Sequence, residues 1–102
     1  MGKASWYGHP FHGRMTANGE RYDMYAMTAA HKTLPFGSRL KVVNPQNGKS
    51  VLVRINDRGP YIPWRILDLS FAAASRLGMI HQGVAVLEMR VFGPKKEFVA
   101  LK

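Results

Sequence analysis

At 102 residues, with a formal net charge of +9, a pI near 10.4 and no cysteine, the chain has the length of one domain and a charge suited to acidic partners. The missing cysteines exclude a disulfide framework and any thiolate metal site, and they leave the redox compartment open. No apolar run approaches the roughly 20 residues needed to cross a bilayer, so this domain is not expected to insert into a membrane.

A chain of this size buries roughly 60 to 70% of its unfolded surface, enough for one compact core. We read it as a single domain with a core over about residues 3–92 and a loosely held tail over 93–102. No signal-peptide core precedes Gly2, and any export signal is expected to lie outside this chain. Lys3 to Gly8 reads as a first strand, with Tyr7 or Trp6 available to face a groove and core packing the preferred role for Trp6. His9 to Asp23 is rich in Gly and Pro, lacks periodicity, and reads as a long loop of the kind that carries function. Met24 to His31 fits helix or strand; the approaching Leu34-Pro35-Phe36-Gly37 turn favours a strand that ends near Thr28. Arg39 to Val43 and Lys49 to Ile55 alternate as the two arms of a hairpin around Asn44 to Gly48. Arg65 to Leu69 is a short strand leading into Ser70, a good N-cap for a helix Phe71 to Leu77 that stops at Gly78. Val84 to Phe92 closes the pattern as a strand, with Val84, Val86 and Leu87 facing inward. Short strands, one short helix and Gly-rich connections indicate a small closed β architecture.

The chemistry concentrates in Val51 to Ser70, VLVRINDRGPYIPWRILDLS. Asp57 stands where a strand meets the Gly59-Pro60 turn, and Asp68 stands just before the helix. An Asp in a turn ordinarily bonds its own backbone, and an Asp before a helix suits the positive dipole end. Their company argues for more. Two carboxylates on adjacent strand ends, beside Arg54, Arg58 and Arg65 and near Tyr61 and Trp64, compose a saccharide site, with aromatic rings for sugar faces and Arg for anions. A proton donor at position 57 needs its charged form disfavoured, by desolvation under a glycan or by repulsion from Asp68. His31 beside Lys32 is disfavoured as a cation. The four histidines, His9, His12, His31 and His81, match no metal-ligand spacing, and no metal or cofactor is expected. Basic residues are scattered without a recognition helix or an RNA-binding signature, so nucleic acid is not an expected partner.

Ala4-Ser5-Trp6-Tyr7-Gly8, Thr16-Ala17-Asn18-Gly19-Glu20, Thr28-Ala29-Ala30-His31, Leu34-Pro35-Phe36-Gly37, Asn47-Gly48, Val53 to Pro60 and Asp68-Leu69-Ser70 together closely resemble the rare lipoprotein A family, in unbroken order from Lys3 to Phe92. The resemblance implies an all-β fold, a six-stranded double-psi β-barrel with one or two short helices, shared with expansins, barwin and one class of lytic transglycosylases. It implies an endolytic lytic transglycosylase that cleaves peptidoglycan between N-acetylmuramic acid and N-acetylglucosamine, forms a 1,6-anhydro ring and prefers glycan strands stripped of stem peptides. It places the protein in the bacterial cell envelope, in the periplasm or as an outer-membrane lipoprotein. Carried over by motif, Glu20, His31 and Asp57 are the expected catalytic residues. Asp68 looks like the second acidic position that expansins keep. With Arg58, Tyr7 and Trp64 it is expected to contact the glycan, and a monomer is expected. Tyr61-Ile62-Pro63-Trp64 departs from the usual family run. The rival reading is a non-catalytic, expansin-like glycan-binding module that uses the same groove.

Overall fold

Asn44 to Gly48 forms a tight turn because Asn44 and Asn47 bond their own backbone: Asn44 Oδ1 accepts from Gln46 N–H and Asn47 Oδ1 from Lys49 N–H, at 3.1 and 2.9 Å. The turn joins two alternating arms, whose inward residues Leu40, Val42, Val51, Val53 and Ile55 are buried. The computed structural model describes residues 2–92, and the tail expected over 93–102 lies outside the described residues. In chain order the elements are β1 (Gly2–Tyr7), a single 3₁₀ turn (His9–Phe11), β2 (Thr28–Ala30), β3 (Arg39–Val43), β4 (Ser50–Asp57), β5 (Arg65–Ser70), α1 (Phe71–Arg76) and β6 (Val84–Phe92).

The strands close into a barrel in the order β1-β5-β2-β4-β3-β6. Two pairs are parallel, β1 with β5 and β2 with β4, and the remainder are antiparallel. Each parallel pair requires a long crossover. Those crossovers interlock the chain in the manner expected of a double-psi barrel. Closure leaves no free sheet edge, and Leu67, Leu69, Leu77, Met79 and Leu87 complete the interior. Helix α1 lies against the barrel through Ala73, Ala74 and Leu77. Ser70 Oγ accepts from Ala73 N–H at its start, while Asn44 and Asn47 both donate to the Leu77 carbonyl at its end, so neither terminus is left unsatisfied. Among the described residues no helix is long and apolar enough to cross a membrane.

Three expectations are corrected. The strand expected to end near Thr28 begins there instead, because Asp23 Oδ1 accepts from Tyr25 N–H and holds the preceding residues in a turn. In β6 the inward phase is Ala85, Leu87, Met89 and Val91, with Val86 facing solvent. Glu88 and Arg90 decide this, since a period of two places their neighbours inside. Finally, Asp57 and Asp68 are not on adjacent strands. Strand β2, parallel to β4 and antiparallel to β5, lies between them, and its Ala30 is in register with both carboxylate residues.

Candidate active site

The register of Ala30 is what joins the two acidic residues. Asp57 arrives from β4 on one side of Ala30 and Asp68 from β5 on the other, and a one-carbon side chain between them keeps the floor of the cleft low. The cleft measures about 260 Å³ and is lined by Tyr7, Phe11, Ala30, Asp57, Arg58, Gly59, Pro60, Tyr61 and Asp68. Gly59, with φ at +128°, turns the chain away after Asp57 into a cis peptide with Pro60. Phe11 is 44% exposed and Tyr61 84% exposed, so two aromatic faces stand open at the cleft walls.

Asp57 is held by backbone amides. Its Oδ1 accepts from Ala17 N–H and from Arg58 N–H, each at 2.9 Å. Asp68 Oδ1 accepts a short hydrogen bond from the Ser5 hydroxyl across the β1–β5 ladder. Tyr7, the next cleft-facing residue of β1, stacks on Tyr22 with ring centres 4.4 Å apart. Its hydroxyl is buried, approaches Asp57 and completes no hydrogen bond of ordinary geometry. Burial first, then the charge of Asp57, the neighbouring Tyr22 and Asp68, hold that hydroxyl well above the ordinary phenol range. Tyr7 is therefore a neutral donor at the floor of the cleft.

The Thr16–Glu20 segment, read from sequence as loop, is the tip of a small hairpin. Met15 bridges Arg21, Tyr22 N–H donates to the Arg14 carbonyl, and Gly19 supplies the left-handed turn at φ +92°. The tip is anchored by Glu20, which accepts from both guanidinium nitrogens of Arg54 at 2.5 and 2.9 Å, from Asn18 at 2.8 Å and from Asn56 at 3.3 Å. These bonds, that from Arg54 foremost, pull the Glu20 carboxyl down to about 2. Glu20 is thus a fixed anion that cannot donate a proton near neutrality. What it does is set the hairpin whose Ala17 amide meets Asp57.

His31 lies just beyond Ala30. Its N–H donates to the Asp57 carbonyl at 3.2 Å, and its Nδ1 accepts from the amides of Thr33 and Leu34, both at 3.1 Å. Burial, then the charges of Arg58 and Lys32, lower its pKa below 6.5. It is a neutral ring whose Nδ1 is committed to the following turn, which assigns the ring proton to Nε2. Arg58 lines the cleft, but its Nη1 donates to the carbonyls of Leu34 and His31 at 2.8 and 3.3 Å, and its guanidinium lies 3.9 Å from the Phe36 ring centre. Arg54 is spent on Glu20. Arg65 lies beside Trp64 at 5.1 Å, with Lys3 at 5.3 Å from the same ring. The three arginines that the sequence set around Asp57 are therefore directed to three separate partners.

Of the residues expected from sequence, the fold brings Asp57, Asp68, Tyr7 and Arg58 to the cleft. Glu20 and His31 support it from behind, and Trp64 stands outside its lining. Phe11, Ser5 and the Ala17 amide were not legible as site residues, whereas Arg54, expected beside the carboxylates, engages Glu20 instead. Tyr61 carried a usable signal in its position directly after the Gly59-Pro60 turn. Among the described residues no group of three or more His, Asp and Glu side chains could hold a metal ion.

Comparison with known proteins gives concordant findings. A family model described as lytic transglycolase matches residues 1–89. The endolytic peptidoglycan transglycosylase RlpA of Vibrio cholerae is 60% identical over 90 residues, covering 88% of this chain and 34% of its own length. Its namesake in Pseudomonas aeruginosa is 57% identical over 94 residues, covering 92% of this chain and 28% of its own. The chain thus spans about a third of the length of these relatives. Among solved structures, the Streptomyces papain inhibitor superposes with a TM-score of 0.68 at 25% identity, covering 86% of this chain and 87% of its own. With the interlocked barrel, the paired acidic positions and these matches in hand, the chain belongs to the RlpA-like, double-psi β-barrel family of lytic transglycosylases.

Proposed function

We propose that this chain, acting as one domain over residues 1–102, cleaves peptidoglycan glycan strands as a lytic transglycosylase in the bacterial cell envelope. The observation that carries the reading is Asp57. One of its oxygens is fixed by two amides, and the carboxyl faces the Tyr7 hydroxyl in an aromatic-walled cleft that also holds Asp68. The names of the Vibrio and Pseudomonas relatives support the same substrate and reaction.

In this mechanism the glycan lies between Phe11 and Tyr61, with ring faces against aromatic faces. Covering the cleft excludes water from around the Asp57 carboxyl, the acid of the reaction. Asp57 then delivers its proton to the oxygen bridging N-acetylmuramic acid and N-acetylglucosamine, and the C1–O bond breaks. The C6 hydroxyl oxygen of the same muramic acid closes on C1, and its proton passes to the Asp57 carboxylate. One bond to C1 is lost and one is formed, the carboxyl ends as it began, and no water is consumed. A single acid–base carboxyl suffices where hydrolases of this kind use two. The committed Nδ1 of His31 favours Asp57 over His31 as the proton acceptor, and His31 positions the strand end through its backbone bond to Asp57. Glu20 positions Asp57 through Ala17. Asp68 and Tyr7 contact the sugar or the acid from the floor, and Arg65 with Lys3 beside Trp64 forms a cationic shoulder suited to the lactyl carboxylate that peptide-free strands expose. The protein acts as a monomer.

A second reading, binding without cleavage, draws on the Streptomyces structure, whose name records inhibition of a protease on the same fold; fold does not dictate chemistry. One experiment separates the two. Peptide-free glycan strands are incubated with the protein and the products weighed. Anhydro-ended fragments, lighter by one water than hydrolysis products, support cleavage; strands that bind and remain intact reject it. Asp57→Asn should abolish cleavage and preserve the fold, and retained cleavage would move the acid to Asp68.

A further inference from the structure

A second concavity lies away from the acidic cleft, between α1 and the turn that precedes β2. It measures about 490 Å³, and the residues that characterise it are Tyr25, Met27, Phe71, Lys49 and Arg76. Tyr25 is 66% exposed. It is braced edge-on by His12 at 5.7 Å and by Phe71 at 6.3 Å, and Phe71 is braced in turn by Trp6 at 5.6 Å. A large ring held in the open by other rings is a preformed platform.

The electrostatics of this groove are opposite to those of the cleft. Lys49 and Arg76 line it, both are exposed, and neither has a carboxylate partner among the described residues, where the ion pair is Glu20 with Arg54. No acidic residue lines the groove. The acid nearest in sequence, Asp23, uses its Oδ1 to accept from the Tyr25 amide. An aromatic face with two free cations at its rim suits a sugar that bears a carboxylate.

Its distance from the reacting bond follows from β4. Lys49 immediately precedes that strand and Asp57 ends it, so eight residues of extended chain, at about 3.3 Å each, separate them by at most roughly 26 Å. The longest dimension of the molecule is 36 Å. Only a ligand that bridges the two places engages both at once.

We propose that Tyr25, Phe71, Lys49 and Arg76 form a second, non-catalytic saccharide site that holds a carboxylate-bearing stretch of the same glycan strand at a distance from the scissile bond. This rests on the proposed function, and it explains how an enzyme acting within a strand would engage long chains more tightly than short ones.

The test measures binding of peptide-free glycan strands of graded length to the cleavage-blocked Asp57→Asn protein, with and without Tyr25→Ala or Arg76→Gln. Both side chains are exposed, so the variants should fold, which circular dichroism checks. Each is expected to weaken binding of long strands by on the order of tenfold. Binding of the shortest fragments, and their cleavage when Asp57 is restored, should not change. Neutral N-acetylglucosamine polymers of equal length should show no dependence on Arg76. Variants that bind long strands as tightly as their parent overturn the proposal while leaving cleavage by the parent intact. An Arg76 dependence shared by neutral polymers overturns the assignment to a carboxylate-bearing sugar. A parent that neither binds nor cleaves any glycan overturns both this site and the proposed function.

Discussion

Glu20 and Arg54 meet through two hydrogen bonds, Nη1 to Oε2 at 2.5 Å and Nη2 to Oε1 at 2.9 Å, across 34 residues of sequence. Neither residue lines the cleft, yet the pair anchors the hairpin tip that aims Ala17 N–H at Asp57. Glu20→Gln keeps the shape and removes the charge that fixes both guanidinium nitrogens, so the tip should loosen and Asp57 lose a donor. Turnover is expected to fall on the order of 10²-fold, the scale of a misplaced catalytic group, with KM nearly unchanged. Arg54→Lys, which keeps the charge but not the fork, should do nearly as much. The double variant should be little worse than either single one, because both remove one interaction. A rise in KM without loss of kcat would instead place Glu20 on the substrate.

Acid should weaken the fold in two stages. Glu20 is lowered from 4.5 to about 2, chiefly by Arg54, and His31 is lowered from 6.5, chiefly by burial. In both cases the unfolded chain takes the proton first on acidification, so stability falls as pH falls. The His31 contribution is complete above 6.5 and declines below it; the Glu20 contribution is complete above 4.5 and declines toward 2. Both side chains are partly exposed, so each stage should be shallow. Thermal unfolding midpoints followed from pH 8 to 3 should lose the upper stage in His31→Gln and the lower stage in Glu20→Gln. A midpoint that rises on acidification through either range would contradict the assigned direction.

What could be read from the sequence divides along a physical line. Local chemistry was legible: the Asn47-Gly48 hairpin, the Ser70 cap with Gly78 beyond the helix, and a strand that delivers Asp57 to a Gly59-Pro60 turn all depend on neighbours within a few residues. The phase of β6 was also present, in the alternation of Glu88 and Arg90, but apolar residues in both phases over Val84 to Leu87 obscured it. Glu20 with Arg54, and Asp57 with Asp68 across Ala30, were not legible from the residues themselves, because they depend on which strands the barrel places side by side. Family resemblance supplied Glu20 and His31 as expected catalytic residues. In the structure Glu20 is bonded to Arg54, and His31 Nδ1 accepts from the amides of Thr33 and Leu34.

The aromatic residues make a comparison with opposite outcomes at nearby positions. Tyr61 lines the cleft and is 84% exposed, whereas Trp64 is 57% exposed and rests between Lys3 and Arg65 outside the lining. Neither is a core residue, so Tyr61→Ala and Trp64→Ala should each leave stability within about 0.5 kcal/mol of the parent. Tyr61→Ala removes a wall and should raise KM about tenfold on short glycan fragments, as should Phe11→Ala. Trp64→Ala should alter KM only for substrates that retain the lactyl carboxylate, through disturbed placement of Arg65. Steady-state kinetics on fragments with and without that group checks both, and equal effects at Tyr61 and Trp64 on a neutral fragment would merge the two positions into one wall.

Tyr7 offers the sharpest separation of stability from function. Its hydroxyl is buried and its approach to the Asp57 carboxylate falls short of a hydrogen bond of ordinary geometry, so the free protein gains less from it than from a fully formed bond. Burying such a group without a partner costs about 1 to 3 kcal/mol, and its removal returns part of that. Tyr7→Phe keeps the ring stacked on Tyr22 and should therefore melt no lower than the parent, and by the same reasoning somewhat higher. If the hydroxyl acquires its partner only when glycan fills the cleft, bonding the sugar or the acidic proton of Asp57, the same change should lower kcat about tenfold, the rate equivalent of one lost hydrogen bond in the transition state. Calorimetry and single-turnover cleavage on one preparation decide the matter. A destabilised variant with full activity would make Tyr7 a structural residue of β1.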